Sequence, residues 1–217
     1  MAAHIRGLGN SYELDLFDAA TVFHDYLISF DYEYTYRDAQ QKRKVLKVSV
    51  KEENFMHLCG INCYGSENDY NNGRKNSSKF FSDCINRRLV LNNIWHESSK
   101  KIDVKLNAQK SLSMLTISGV RVCGHGRFEA VEFDNALRTG RAIIALGIVG
   151  EGRANTIFNL ALSKSDSKSI STSFGVTRIK KTHRVTGEIT QIDCGISKKK
   201  SKKKTKKKNK ITKTPSK

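Results

Sequence analysis

The stretch Glu52-Glu53-Asn54-Phe55-Met56-His57-Leu58-Cys59-Gly60-Ile61 separates a predicted β-hairpin from a predicted series of helices. Its apolar residues are spaced as on one side of a short helix, and glycine is a residue type that commonly follows the end of a helix. We therefore predict a short helix that ends at Gly60. His57 lies within it, and an imidazole with an ordinary pKa of about 6.5 suits proton transfer at neutral pH. A core histidine with a satisfied hydrogen bond is the alternative, and composition alone favours that alternative.

The chain before this stretch predicts one helix followed by a β-hairpin. Apolar residues recur at helical spacing over residues 14–27. Residues 30–36 then alternate and are rich in aromatics, and residues 45–50 alternate apolar with polar side chains. A polar connection lies between these two alternating runs, which is the pattern of two antiparallel strands and a longer loop.

The chain after the stretch changes from helical to strand patterns. Residues 62–78 are polar and contain Asn71-Asn72-Gly73, so they predict a loop. One helix is predicted from Ser77 or Ser78, and another over residues 101–115. Strands are predicted near residues 118–122, 142–149, 156–162, 174–181 and 187–193. Helices early and strands late predict the α+β class, and the short connections favour antiparallel pairing.

Charge divides the chain into a body and a tail. The 217 residues include 39 Lys+Arg and 21 Asp+Glu, which gives a net charge of +18, and residues 198–217 alone hold twelve lysines and no acid. We therefore predict one domain over residues 1–197 and a disordered lysine-rich tail over residues 198–217. Such a tail binds polyphosphate by releasing counterions and does not read sequence. A purely solubilising tail is the alternative. The lysines expected to bind nucleic acid are Lys198, Lys199, Lys200, Lys202, Lys203, Lys204, Lys206, Lys207 and Lys208.

Several classes of protein do not fit this sequence. The longest apolar run, residues 142–146, is far shorter than the roughly 20 residues that span a bilayer. The N-terminus lacks the basic and apolar regions of a secretory signal. Five cysteines at scattered spacing favour reduced thiols in the cytoplasm over a disulfide framework. Zinc ligation by Cys59, Cys63, Cys123 and His125 is the weaker alternative, and we expect neither a metal nor a cofactor.

Four features, in this order, resemble a known family, and the first is a helix with Phe17, Ala20 and Phe23 that leads into the aromatic hairpin. The stretch Glu53-Asn54-Phe55-Met56-His57-Leu58-Cys59-Gly60-Ile61 is similar to its Phe-x-His-Leu-x-Gly signature. The stretch Ser78-Lys79-Phe80-Phe81-Ser82-Asp83-Cys84-Ile85-Asn86-Arg87-Arg88-Leu89 is similar to its aromatic helix, and Lys105-Leu106 heads a leucine-rich helix. Over about residues 14–193 the chain thus resembles the phage-type predicted ribonucleases of the barnase, EndoU, colicin and RelE-like fold, fourth kind. The resemblance implies N-terminal helices and a β-hairpin followed by a four-stranded antiparallel sheet.

The resemblance also implies an activity and a set of site residues. It implies a metal-independent endoribonuclease of a phage or mobile element, acting in toxicity or defence, which uses the 2′-OH of RNA as nucleophile and leaves a 2′,3′-cyclic phosphate. Such chemistry needs a base, an acid and cations. His57 is the proton-transfer candidate, and Lys105 carries over as a phosphate ligand. Arg178 and Lys180 share one face of a predicted strand and could stabilise charge, and Thr190 could bind a phosphate oxygen. A solvated sheet face and an ordinary strand threonine are the alternatives.

Two functional hypotheses therefore remain open, and a third, a structural phage protein, is weaker. The first is the endoribonuclease, with RNA as substrate and a cognate inhibitor protein as a further partner. The second is a non-catalytic protein on the same fold that binds nucleic acid or the ribosome. Neither hypothesis involves a membrane.

Overall fold

The computed structural model describes residues 4–128, 131–140, 144–150, 152–159 and 172–195. The predicted tail, residues 198–217, lies outside the described residues. The described chain combines helices with antiparallel strands, which confirms the α+β class.

Five α-helices occur in the described ranges, and none of them combines the length and apolar content that crossing a bilayer requires. Four of them bury apolar side chains at helical spacing, and the short third helix buries none. They are α1 (Ser11–Phe23), α2 (Glu52–Leu58), α3 (Glu67–Asn71), α4 (Ser77–Ile85) and α5 (Ser99–Gln109).

The predicted helices largely form, although two have different ends. The first runs through α1 and continues as a wider π-helical turn, His24–Ile28. The helix predicted over residues 101–115 breaks after Gln109, and its last apolar residues form a separate 3-10 turn, Leu112–Leu115. Helix α2 ends as predicted. Gly60 takes the left-handed backbone conformation, φ +79°, which commonly follows a helix and causes much less steric strain in glycine than in other residues.

Thirteen strands occur in the same ranges, and eight of them form the principal sheet. Three short strands form a small sheet in the order β1-β5-β4, and β7 pairs only with β8. The strands are β1 (Ile5–Arg6), β2 (Phe30–Arg37), β3 (Arg43–Val48), β4 (Ile61–Tyr64), β5 (Ile94–His96), β6 (Arg121–Cys123), β7 (Gly126–Phe128), β8 (Val131–Phe133), β9 (Asn135–Arg138), β10 (Ile144–Val149), β11 (Arg153–Asn159), β12 (Ser173–His183) and β13 (Ile189–Asp193).

The expected four-stranded sheet is wrong, because the aromatic hairpin and the later strands belong to one sheet. Its order is β11-β10-β9-β6-β12-β2-β3, and β13 also pairs with β12. Strand β12 joins the two halves, since its first residues pair with β6 and the rest with β2 and β13. The hairpin that precedes α2 in sequence therefore lies beside the last strands in space.

The predicted loop over residues 62–78 is also wrong. It contains the end of β4, whose Cys63 and Tyr64 are buried, and the short helix α3. Because most of the residues around Cys63 and Tyr64 in this segment are polar, the sequence shows no strand pattern there. Only after residue 71 does the segment lack regular structure until α4 begins at Ser77.

The core lies between the helices and one face of the principal sheet. Helix side chains such as Phe23, Phe55 and Phe80 belong to the same buried cluster as Tyr34 and Ile179 of the sheet. The Tyr34 hydroxyl donates to the Leu115 carbonyl at 3.0 Å and so ties the sheet to the helical side. We call the sheet face that is opposite to this core the outer face.

The principal sheet curls until its two ends touch. Gly152, before β11, has φ +97°, and a Cβ built there would lie 2.3 Å from the Lys47 carbonyl oxygen of β3. The Ser49 amide also donates to the Gly152 carbonyl at 3.2 Å. Only glycine fits this close approach, which joins the first and last strands of the sheet order.

Candidate functional site

His57 lies in the last turn of α2, on the side turned away from the core. The neighbouring Phe55, Met56 and Leu58 are buried and hold the helix in place, whereas the His57 side chain is exposed. Although water reaches the ring, the protein around it still removes part of its hydration. This desolvation lowers the pKa of His57, and the positive charges of Lys105 and then Lys75 lower it further.

Lys105 reaches this place from α5. Ile102 and Leu106 are buried on either side of it in the helix, and Lys105 itself is half-buried. Its stem lies over Gly60, because a Cβ built on Gly60 would be 3.0 Å from Cδ of Lys105. The structure thus brings together the two candidates that came from separate motifs, close enough for their charges to interact.

A buried hydrogen bond fixes α5 against the end of α2. Gln109 lies one helical turn after Lys105 and is fully buried, and its amide donates to Cys59 Sγ at 3.1 Å. Burial raises the pKa of the Cys59 thiol to about 12, so the sulfur stays protonated at neutral pH. Cys59 is therefore a structural acceptor, because the thiolate is the nucleophilic form of cysteine.

Arg178 and Lys180 lie elsewhere, on the outer face of β12. The strand residues Val176 and Ile179 are buried in the core, and Arg178 and Lys180 project to the other side. Arg178 pairs with Asp193 at 3.0 Å and Lys180 with Glu33 at 3.7 Å, all on the surface of the sheet. Surface pairs of this kind are worth little energy, so either cation can exchange its partner for another anion.

Thr190 does not join either group. It lies on β13 opposite Lys181, one register position away from the residues that share the outer face with Lys180. Its neighbour at the same parity, Ile192, packs against the core. The five predicted site residues thus divide into His57 with Lys105, Arg178 with Lys180, and Thr190 alone.

Sequence reasoning did not identify Lys75 or Gln109 in the His57 group, and it gave Gly60 only the role of ending the helix. Lys75 comes from the connection before α4, which has no periodic pattern, and Gln109 and Gly60 act through contacts with distant residues. Among the described residues, no group of three His, Cys, Asp or Glu side chains could hold a metal ion. The five cysteines are unpaired with one another and buried.

Comparison with protein families gives a match over nearly the whole chain. The model described as phage-Barnase-EndoU-ColicinE5/D-RelE like nuclease4 matches residues 15–214. The chain belongs to this nuclease family. Comparison with curated proteins and with solved structures gives no significant match.

This membership confirms the resemblance predicted from the sequence. It indicates a nuclease of the barnase-EndoU-colicin-RelE type. The match includes His57, Lys105 and Lys75, as well as the outer-face cations of β12. The matched range therefore contains both the lysines beside His57 and the pair Arg178 and Lys180.

Proposed function

We propose that this nuclease is a metal-independent endoribonuclease whose base is His57. The observation that carries the proposal is the lowered pKa of His57 beside Lys105 and Lys75. A lowered pKa keeps the imidazole neutral at neutral pH, and only the neutral ring can accept a proton. The adjacent ammonium groups are suited to the negative charge that develops on a phosphate in the transition state.

The proposed reaction uses the nucleophile that RNA itself carries. His57 accepts the proton of a 2′-OH, and the 2′-oxygen forms a bond to the adjacent phosphorus. The bond from phosphorus to the 5′-oxygen breaks, and that oxygen takes a proton from an acid or from water. The products are a 2′,3′-cyclic phosphate and a 5′-OH, and Lys105 with Lys75 stabilises the phosphorane between them.

Binding of the substrate also adjusts the base. A phosphate placed between the lysines and His57 offsets their positive charge, so it raises the pKa of His57 towards its ordinary value. A base whose pKa approaches the working pH transfers protons most efficiently. The same two lysines would thus hold the phosphate and keep the free enzyme in its basic form.

The test is cleavage of RNA in EDTA by the full-length protein. We expect the wild type and the control His24→Ala to cut. His24 is an exposed histidine that shares a hydrogen bond with its neighbour Asp25 and has no role in the proposed reaction. His57→Ala should lose about 100-fold or more in rate, the usual contribution of a general base. Cyclic-phosphate ends should appear, and an oligonucleotide with a 2′-deoxy residue at the cut position should resist.

Two outcomes contradict the proposal in different ways. Equal cutting of the deoxy-substituted strand would show that the 2′-OH is not the nucleophile. Binding of RNA that weakens in salt, with no cutting by any variant, would instead support the non-catalytic nucleic-acid-binding protein, the hypothesis that the lysine-rich tail favours.

A further inference from the structure

Two arginines lie directly opposite each other on neighbouring strands of the principal sheet. Arg121 of β6 pairs in register with Arg138 of β9, and Arg121 also faces Gly175 of β12. Both project to the outer face, because the alternating residues Val122 and Leu137 are buried in the core. Like charges in directly opposed positions destabilise a sheet, so this pair needs a reason.

Both guanidinium groups converge on one serine at the start of β12. Ser173 Oγ accepts from Arg121 Nε at 2.8 Å and from Arg138 Nη2 at 2.6 Å, and the Ser173 carbonyl accepts from Arg121 Nη2 at 2.5 Å. Arg138 Nη1 donates to the Thr139 carbonyl at 3.2 Å. These acceptors are neutral, and among the described residues no carboxylate lies within 4 Å of either guanidinium group.

The Arg138 side chain also interacts with Cys123, but one of its nitrogens has no acceptor among the described residues. Arg138 Nε is buried and has no acceptor among the described residues. Arg121 Nη1 lies above Gly175, 3.7 Å from the position that a Cβ would occupy, so no side chain covers it there. Burial raises the pKa of the nearby Cys123 thiol, and the charge of Arg138, a hydrogen bond with the Arg138 side chain and the charge of Arg121 oppose that rise, as expected of a positive local potential.

We propose that Arg121 and Arg138, with the Ser173 hydroxyl, form a binding site for a backbone phosphate of RNA. A phosphate would accept from both guanidinium groups, whose planar donors suit bidentate contact with phosphate oxygens. It would also neutralise the opposed charges. The site lies on the outer face of the sheet, apart from His57, so the phosphate is one that is bound and not cut. The choice of RNA rests on the proposed function.

Further cations on the same face favour an extended polyanion over a free phosphate ion. Arg178 lies further along β12 on the same face, beyond the irregularity between Val176 and Arg178. With Arg37 and Arg43 it lines a cavity of about 230 Å³ that is open on this face. Arg178 is three residues further along the strand than Gly175, roughly 10 Å, so a single strand of RNA following β12 would meet both cationic groups.

The test measures binding of a 2′-O-methylated RNA 12-mer, which cannot be cut by 2′-OH attack, to the full-length protein over a series of KCl concentrations. Loss of one phosphate contact should weaken binding by the double variant Arg121→Gln/Arg138→Gln about tenfold or more. It should also reduce the slope of log affinity against log salt by about 0.7. The control Arg6→Gln/Arg88→Gln removes equal charge from surface arginines that pair with Glu67 and Asp83.

An effect no larger than that of the control overturns the proposal. A second measurement compares thermal unfolding in inorganic phosphate and in chloride at equal ionic strength. If phosphate stabilises the wild type but not the double variant while RNA affinity is unchanged, the site binds free phosphate and the assignment to RNA is wrong. If the glutamine variants do not fold, Arg121→Lys/Arg138→Lys keeps the charge, and it should bind RNA more weakly than the wild type because the bidentate contacts are lost.

Failure of this proposal is distinguishable from failure of the proposed function. Binding of the uncut 12-mer does not depend on His57, whereas cleavage of ordinary RNA does. A protein that binds through the arginine pair but never cuts would retain this site and lose only the catalytic assignment.

Discussion

Replacing Gly60 by alanine tests whether the position of Lys105 matters for cleavage. Gly60 has φ +79°, and an alanine Cβ there would lie 3.0 Å from Cδ and 3.6 Å from Cε of Lys105. The first distance is shorter than ordinary van der Waals contact, so the lysine stem must move. The left-handed conformation itself costs a non-glycine residue about 1–2 kcal/mol, which the reduced entropy of the unfolded chain offsets in part.

A matched control exists in the same protein. Gly73 also follows the end of a short helix, has φ +68°, and a Cβ built there would meet nothing within 4 Å. Gly73→Ala should therefore lose a similar amount of stability, about 1 kcal/mol in urea unfolding, and keep its cleavage rate. Gly60→Ala should lose the same stability and also up to about tenfold in single-turnover cleavage, because the lysine stem must move by a few tenths of an ångström and a misplacement of about an ångström costs up to about 100-fold.

A double-variant comparison completes the test. In a Lys105→Ala background, Gly60→Ala should no longer change the cleavage rate, because the displaced group is already gone. If Gly60→Ala and Gly73→Ala cleave at the same rate, or if Gly60→Ala slows cleavage equally with and without Lys105, then the contact between Gly60 and Lys105 does not position the ammonium group for the reaction.

Three further predictions concern pH, the tail and the core. As pH falls below about 6.5, the unfolded chain takes up a proton at His57 before the folded one does, so stability present above that pH should decline through the lowered pKa. Urea midpoints at pH 7.5 and 5.5 should thus differ more for the wild type than for His57→Gln, and equal differences would contradict the assigned pKa. Deleting residues 198–217, with twelve lysines, should weaken RNA binding and flatten its salt dependence while leaving the cleavage chemistry intact, and unchanged binding would disprove the role of the tail. Phe55→Ala should cost about 3–5 kcal/mol in urea unfolding, because Phe55 is fully buried against Phe23, Phe80 and Phe81, and a loss below about 1 kcal/mol would mean that the cavity collapses.

The sequence predicted those helices and strands whose periodic pattern of apolar residues extends over more than a few residues. The alternating hairpin and the helices α1, α2 and α4 have periodic apolar side chains, and Gly60 marks the end of α2. Strands such as β5 and β7 have three residues each, which is too short for periodicity to separate them from loops. The pairing of β5 depends on contacts between distant parts of the chain.

The same distinction applies to the site. His57 and Lys105 were named from motifs, but their proximity depends on how α2 and α5 pack. Lys75 and Gln109 have no local signal, and the opposition of Arg121 and Arg138 follows from strand register. Register depends on the folded sheet as a whole, so no reading of either segment alone predicts it.

The central position of β12 has a consequence for the order of events during synthesis. The strand pairs with β2, which precedes it by about 140 residues, and with β6, and its residues come near the end of the described chain. A nascent chain that has emerged only through residue 172 leaves both of these partners with an unpaired edge, and pairing across such a separation is slow. The ribosome must therefore release the chain through β12 before the sheet can close. Chaperones that cover exposed strand edges have this interval in which to act, and a nuclease assembled in this order completes its principal sheet only after β12 has emerged.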